Sequence, residues 1–200
     1  MKRVIGLTGG IGTGKTTVSN YLAHTYNIPV LDADIYAREA VQGGSPVLHK
    51  IVQKYGRDLL LSDGTLDRRR LGEIVFNNLE ERNWLETQIH PYVRDRFQSQ
   101  LDTITALTVV LVIPLLFEAD MTDLVTEIWV VSCSPEQQIM RFIERDSLTL
   151  EQAQARINSQ MPLEKKIAAA DVVLDNSLTL DALLQQVDAA INQQSQSTTH

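Results

Sequence analysis

Residues Gly9 to Thr16 read GGIGTGKT and match the pattern G-x-x-x-x-G-K-[ST] at every fixed position. The apolar run Val4–Leu7 precedes this segment and a helical pattern follows it, as a loop between a strand and a helix requires. Four glycines in six residues let successive N–H groups turn toward one anion, and the start of the next helix favours negative charge there. A glycine-rich turn without a ligand would need neither the Lys nor the Thr. The segment therefore predicts a P-loop that binds a nucleoside triphosphate, with Lys15 on the β/γ-phosphates and the hydroxyl of Thr16 on Mg²⁺.

Composition excludes several other classes. The chain has 200 residues and a net charge of −7 without a long basic run, which argues against a nucleic-acid partner. Its longest apolar stretch, 106–117, contains Thr108 and Pro114 and is too short for a bilayer span. No apolar leader precedes the first strand. The single cysteine, Cys133, indicates a reducing compartment, and we expect it to be a core residue. We expect a soluble cytoplasmic protein without membrane or nucleic-acid partners.

Short apolar runs alternate with helical patterns along most of the chain. The expected strands are 4–7, 29–31, 109–113, 128–132 and 172–174. Continuous apolar runs are typical of parallel strands buried on both faces, so the pattern predicts an α/β, P-loop NTPase-like three-layer fold with a central parallel five-stranded sheet. Capping boxes begin two helices, at Ser134 and at Thr149. The last helix carries an apolar stripe formed by Leu180, Leu183, Leu184, Val187 and Ile191.

The alternation stops between about residues 35 and 107, where only helical patterns occur. They cover 46–54, 68–76 and 80–104, and Pro91 is expected to kink or divide the last. We interpret 1–200 as one P-loop kinase domain with a core of about 1–34 and 108–192, a helical substrate-binding insertion of about 35–107 and a lid of about 141–168. The polar tail from Gln193 to His200 is expected to be disordered.

Two carboxylates, Asp32 and Asp34, follow the second expected strand. Ligands of open parallel sheets bind beyond the carboxyl ends of the strands, so these groups are candidates for holding Mg²⁺ and for accepting a proton from an attacking hydroxyl. Alternatively, one or both cap the helix that follows. Asp34 is favoured as the base, and Asp32 stays open between metal binding and capping. Glu118, after the third strand, is either a metal-directed acid or an exposed turn residue.

Cationic side chains provide further candidates. Arg141 lies beside apolar positions in a helix after the fourth strand, where a lid arginine would bind phosphate oxygens bidentately. The alternative is an exposed residue paired with Glu144 or Asp146. Arg68, with Arg69 and Arg70, occupies a first helical turn, where three cations oppose the helix dipole unless an anion or solvent compensates. His90 stands alone and is not a metal ligand by its pattern.

Taken together, these residues resemble the dephospho-CoA kinase family over nearly the whole chain. The segments that carry the resemblance are 5–18, 32–34 with 37–38, 63–68, 90–91, 114–118, 131–135, 145–146, 170–171 and 175–176. The family often has Ser where this chain has Thr13 or Thr16, and both residue types supply a hydroxyl group.

The resemblance implies ATP-dependent phosphorylation of the ribose 3′-hydroxyl of dephospho-CoA, giving coenzyme A and ADP. It implies a helical CoA-binding subdomain and a lid, with Lys15, Asp34 and Arg141 as catalytic residues and Asp34, Arg68 and His90 on the acceptor. The metal, Mg²⁺, would be held by Thr16 and Asp32, in a monomer or weak homo-oligomer. The implied ATP-binding residues are Gly10, Ile11, Gly12, Thr13, Gly14, Lys15, Thr16 and Thr17.

Two other functions are compatible with the P-loop. A kinase of this architecture could act on another small alcohol or on a nucleoside monophosphate. A GTP-dependent switch is disfavoured, because Ser132-Cys133-Ser134-Pro135 stands where the guanine-reading N-K-x-D motif would be expected.

Overall fold

The computed structural model of the protein describes residues 2–76 and 78–193, so the predicted polar tail lies outside the described residues, apart from Gln193. A five-stranded parallel sheet forms its centre, with the order β2-β3-β1-β4-β5. The strands are β1 (Arg3–Gly9), β2 (Val30–Asp32), β3 (Thr108–Val112), β4 (Glu127–Ser132) and β5 (Val172–Asp175). Every predicted strand is present, with ends that coincide or differ by at most two residues.

The central strand β1 pairs with β3 on one side, Ile5 facing Val110, and with β4 on the other, Leu7 facing Trp129. These apolar side chains are buried because helices cover the sheet. The helices of this unit are α1 (Lys15–Tyr26), α6 (Pro135–Asp146), α7 (Leu150–Asn158), α8 (Leu163–Ala168) and α9 (Leu180–Gln193). The three-layer α/β fold is therefore confirmed.

Local signals placed the helices of this unit well. Both predicted capping boxes form, with Ser134 at the start of α6 and Thr149 at the start of α7. In α9, Leu183, Val187 and Ile191 are buried, but Leu180 is 55% exposed, so the predicted stripe is wrong at its first position. Leu180 is the first residue of the helix, one turn before the first buried position, Leu183. The predicted core residue Cys133 is buried.

The remaining helices form a second compact unit, Asp32–Ile104, whereas the first unit comprises Met1–Leu31 and the chain from Thr105 onward. Its helices are α2 (Ala33–Ala40), α3 (Pro46–Tyr55), α4 (Arg68–Phe76) and α5 (Leu79–Thr103). Ala40 and Ile51 are fully buried in its own apolar core, against which Trp84 packs. Each unit therefore buries apolar side chains in a core of its own.

Two features of this unit differ from expectation. Helix α5 is not divided at Pro91, since Val93 and Phe97 in the following turns are buried and hold the helix in place. The alternative expectation, a kink at Pro91, stays a prediction. Helix α2 has no separate sequence signal because it begins directly after β2, with Asp32 as both the last strand residue and the N-cap. Among the described residues, none of the helices is both long and apolar enough to cross a membrane.

Candidate active site

The loop between β1 and α1 has the backbone geometry that a phosphate-binding loop needs. Gly12 (φ 75°) and Gly14 (φ 108°) lie in the left-handed region that favours glycine. The buried Thr13 hydroxyl donates to the Gly10 carbonyl oxygen at 3.0 Å, which closes the turn. Within the described chain, no side chain caps the start of α1 at Lys15. The first N–H groups of α1 are thus left for an anion.

Lys15 lies over this loop, and its ammonium Nζ donates to the carbonyl oxygens of Gly9 (3.2 Å) and Gly10 (2.7 Å). Thr16 and Thr17, the next two residues, are exposed. A cation held by uncharged carbonyl oxygens can exchange them for phosphate oxygens at small cost. The position of the Lys15 ammonium is therefore compatible with a triphosphate bound on the loop.

Arg141 projects from α6 in the same unit. Its Nη2 donates to the carbonyl oxygen of Asn176 at 3.1 Å, whereas Nη1 is buried and has no hydrogen-bond partner among the residues that the structure describes. Asp146, the alternative partner of Arg141, instead pairs with Arg145 at 2.7 Å. The Cys133 thiol also lies beside the Arg141 guanidinium, which partly offsets the rise that burial causes in the pKa of this thiol. A thiol is a weak acceptor, so a phosphate oxygen would be a stronger partner for this guanidinium.

Asn176, for which the sequence suggested no individual role, contacts the P-loop directly. Its side-chain Nδ2 donates to the carbonyl oxygen of Thr13 at 2.8 Å, and its backbone N–H donates to the carbonyl oxygen of Ser132, also at 2.8 Å. Nothing in the local sequence signals these contacts, because Thr13 is 163 positions away.

Of the two roles considered for Glu118, the exposed turn residue is the one that the structure bears out, since Glu118 is exposed and lies in the turn after β3. Its Oε1 accepts hydrogen bonds from Lys166 Nζ and from the backbone N–H of Met161, each at 2.9 Å. Lys166 is fully buried, and its Nζ also donates to the carbonyl oxygen of Pro114 at 2.9 Å. The carboxylate therefore connects the turn after β3 to α8 through an ion pair whose lysine is buried and whose carboxylate reaches solvent.

The second unit contains a cavity of about 360 Å³ whose charged lining is formed by Asp34, Arg38 and Arg68. Arg68 Nη2 donates to the carbonyl oxygen of Arg38 at 3.1 Å, and the carboxylate of Asp34 is exposed. The remaining lining residues, mostly apolar, are Ala37, Val41, Leu66, Leu71, Gly72, Val75, Leu85 and Ile89. An apolar wall with one carboxylate and two guanidinium groups suits an acceptor that carries a hydroxyl and anionic groups.

The other predicted residues of this unit have different surroundings. Asp32 Oδ1 accepts the backbone N–H of Asp34 at 2.8 Å, so Asp32 caps α2, and its burial raises the pKa of this carboxyl. His90 is half-buried on α5, and burial lowers the pKa of its imidazole, which favours the neutral ring at pH 7. Unlike its neighbour Ile89, His90 does not line the 360 Å³ cavity.

No group of three or more His, Cys, Asp or Glu side chains suited to a metal ion occurs within residues 2–76 and 78–193. A Mg²⁺ ion that accompanies a nucleotide needs only one or two protein oxygens, because phosphate oxygens and water complete its octahedral shell. The exposed hydroxyl of Thr16 and the carboxylate of Asp32 are groups of the required chemistry.

Comparison with known proteins agrees with this chemistry. The family model described as dephospho-CoA kinase matches residues 3–182. A dephospho-CoA kinase from Nostoc sp. (strain PCC 7120) is 62% identical over 191 residues, covering 96% of this chain and 97% of the relative.

Solved structures give the same result. The dephospho-CoA kinase from Campylobacter jejuni superposes with a TM-score of 0.71 at 29% identity, over 100% of both chains. A Thermus thermophilus protein superposes with a TM-score of 0.80 at 33% identity, over 96% of this chain and 97% of its own. The protein therefore belongs to the dephospho-CoA kinase family.

Proposed function

We infer that the protein transfers the γ-phosphoryl group of ATP to the ribose 3′-hydroxyl of dephospho-CoA, giving coenzyme A and ADP. The observation that carries this function is the family match over residues 3–182, on a chain whose P-loop is complete. The contacts of Lys15 with uncharged carbonyl oxygens and the burial of Arg141 near the P-loop support this proposal.

On the ATP side, we propose that residues Gly10 to Thr17 bind the triphosphate. Lys15 and Arg141 stabilise the charge that spreads over the oxygens of the transferring group. Nη1 of Arg141 is buried and has no hydrogen-bond partner within residues 2–76 and 78–193, which supports this role because a phosphate oxygen would complete its hydrogen bonding. Thr16 and Asp32 would hold Mg²⁺, which supplies additional neutralisation of the triphosphate when bound.

On the acceptor side, we propose that Asp34 is the general base and that the cavity it lines receives dephospho-CoA. The 3′-oxygen attacks the γ-phosphorus, the bond between that phosphorus and the β,γ-bridging oxygen breaks, and the hydroxyl proton passes to the Asp34 carboxylate. Arg68, and Arg38 beside it, would bind the pyrophosphate of the acceptor. His90 would act in its neutral form, as a hydrogen-bonding residue of this unit.

The assignment within the aspartate pair can be tested by Asp34→Asn and Asp32→Asn. Loss of a positioned base is expected to lower the kcat of Asp34→Asn by about 10²- to 10⁴-fold, with a much smaller change in the KM for ATP. Asp32→Asn should raise the KM for Mg²⁺ and leave stability nearly unchanged, because the amide oxygen of Asn can still cap α2. A severe kcat defect for Asp32→Asn with a mild one for Asp34→Asn would reverse the two roles.

The reaction itself is tested by adding dephospho-CoA to the protein with MgATP and measuring ADP release and product mass. One equivalent of ADP for each acceptor that gains a phosphoryl group is expected. ADP release without phosphorylated product would contradict the proposed reaction.

We also propose that the enzyme acts in the cytoplasm as a monomer or weak homo-oligomer. The buried, unpaired Cys133 suits a reducing compartment, in which no disulfide is needed for stability.

A further inference from the structure

Asn176 follows β5 and contacts three parts of the unit that contains the P-loop. As described above, its amide Nδ2 donates to Thr13 in the P-loop and its backbone N–H donates to Ser132 at the end of β4. Its carbonyl oxygen accepts Nη2 of Arg141 from α6. One residue therefore connects the phosphate loop to the arginine proposed to act on the transferring phosphoryl group.

The P-loop is shaped to admit this side chain. A Cβ atom on Gly14 would overlap the amide nitrogen of Asn176, so the absent side chain of Gly14 makes room for it. The donor then satisfies the carbonyl oxygen of Thr13, a buried residue of the loop. The position of Asn176 is thus determined by the same loop that is proposed to bind ATP.

Helix α6 lies against the other side of the loop. A Cβ atom on Gly12 would lie 3.0 Å from the carbonyl oxygen of Gln138 and 3.7 Å from Cβ of Arg141. The side-chain amide of Gln137 adds a second connection between α6 and the Asn176 segment, since its Nε2 donates to the carbonyl oxygen of Ser177 at 2.9 Å. The position of Arg141 is therefore fixed by the packing of α6 against the P-loop and by the hydrogen bond to Asn176.

In this arrangement Nη2 of the guanidinium is bonded to Asn176, whereas Nη1 is buried without a hydrogen-bond partner in the described part of the chain. We propose that Asn176 is a positioning residue for phosphoryl transfer. Its amide fixes the segment on Thr13, and its carbonyl oxygen then fixes the orientation in which Arg141 presents Nη1. The inference rests on the proposed role of Arg141.

The test is a double-mutant cycle between Asn176 and Arg141. Asn176→Ala removes the amide, and Asn176→Asp keeps its shape but places a carboxylate oxygen against the carbonyl oxygen of Thr13. Both should lower kcat by about 10- to 100-fold, as expected when a catalytic group is slightly misplaced, with a much smaller change in the KM for ATP. In an Arg141→Ala background, either substitution should have little further effect on kcat, since the two residues act as a unit.

Ser177→Ala is the matched control, because it leaves the backbone bonds of the same segment in place and should keep wild-type kcat. If Asn176→Ala does not fold, the double-mutant cycle is measured with Asn176→Asp and Asn176→Ser instead. The thermal midpoint of unfolding is measured for each variant. An unchanged kcat at an unchanged or lowered midpoint would overturn the inference, as would a raised KM for ATP at unchanged kcat.

The two levels of inference fail separately. If Arg141→Ala alone retains wild-type kcat, the role proposed for Arg141 is wrong. If Arg141→Ala is slow but the effects of the two substitutions multiply in the double variant, only the role of Asn176 is wrong.

Discussion

The ammonium of Lys15 contacts two carbonyl oxygens of its own loop, and Lys15 does not belong to the apolar core described around β1. Lys15→Ala should therefore abolish turnover, because the charge developing on the phosphoryl oxygens loses a cation, while the fold is retained. The measurements are kcat and the circular dichroism spectrum with its thermal midpoint. Lys165→Ala, an exposed lysine on α8, is the control and should retain wild-type activity. Near-normal turnover of a natively folded Lys15→Ala protein would contradict the role of this loop.

Residues whose function depends on neighbours in sequence could be predicted, and those whose function depends on distant partners could not. The glycines, Lys15 and Thr16 follow from one contiguous motif, since the loop builds its own geometry. Asn176 acts through partners elsewhere in the chain, and periodicity contains no information about them. The two alternatives for Glu118 likewise omitted its actual partner, Lys166, 48 positions away in sequence. Roles of single residues in catalysis stay predictions until the variants are measured.

At the scale of elements, α8 is a six-residue helix that depends on one buried charge. Lys166 has no exposed surface and bonds Glu118 and the carbonyl oxygen of Pro114. Lys166→Met should destabilise the protein by about 1–3 kcal/mol, because the carbonyl oxygen of Pro114 loses its donor and Glu118 loses its partner, although the exposed Glu118 carboxylate can be solvated. Urea unfolding measures this change, with the exposed Lys165→Met as control, for which a change within about 0.5 kcal/mol is expected.

Replacing both members of this pair distinguishes the loss of a partner from the loss of packing. The double variant Glu118→Leu with Lys166→Met removes both charges and should be more stable than Lys166→Met alone. If it is equally unstable, the ion pair is not what holds α8 on the sheet.

Elements with signals at their own ends were predicted closely. The capping boxes of α6 and α7 gave helix starts that the structure confirms. Helix α2 was missed because its cap, Asp32, also ends a strand, so no separate boundary exists. The undivided course of α5 through Pro91 depends on the burial of Val93 and Phe97, which is tertiary information.

At the scale of the whole molecule, the P-loop and Arg141, proposed to bind ATP, belong to one compact unit, and the cavity proposed for the acceptor belongs to the other. The unit Asp32–Ile104 is larger than a pocket for a small alcohol requires, and its cavity is lined by apolar side chains with Arg38 and Arg68. Such a cavity can draw binding energy from parts of an acceptor far from the reacting hydroxyl. That energy can be used to orient the ribose, and it then appears in kcat as well as in KM.

We therefore predict that dephospho-CoA exceeds AMP and adenosine in kcat/KM under saturating MgATP, and that adenosine loses kcat as well as affinity. Arg68→Ala should reduce the difference in kcat/KM between dephospho-CoA and adenosine. The substitution removes a contact with the pyrophosphate, a group that dephospho-CoA has and adenosine lacks. Arg69→Ala is the matched control, as Arg69 is an exposed cation of the same helical turn that does not line the cavity. If AMP or adenosine matched dephospho-CoA in kcat/KM, the acceptor assignment would fail and a general nucleoside or nucleotide kinase would replace it. If dephospho-CoA were preferred but the two arginine variants behaved alike, the acceptor would stand and only the role of Arg68 would be wrong.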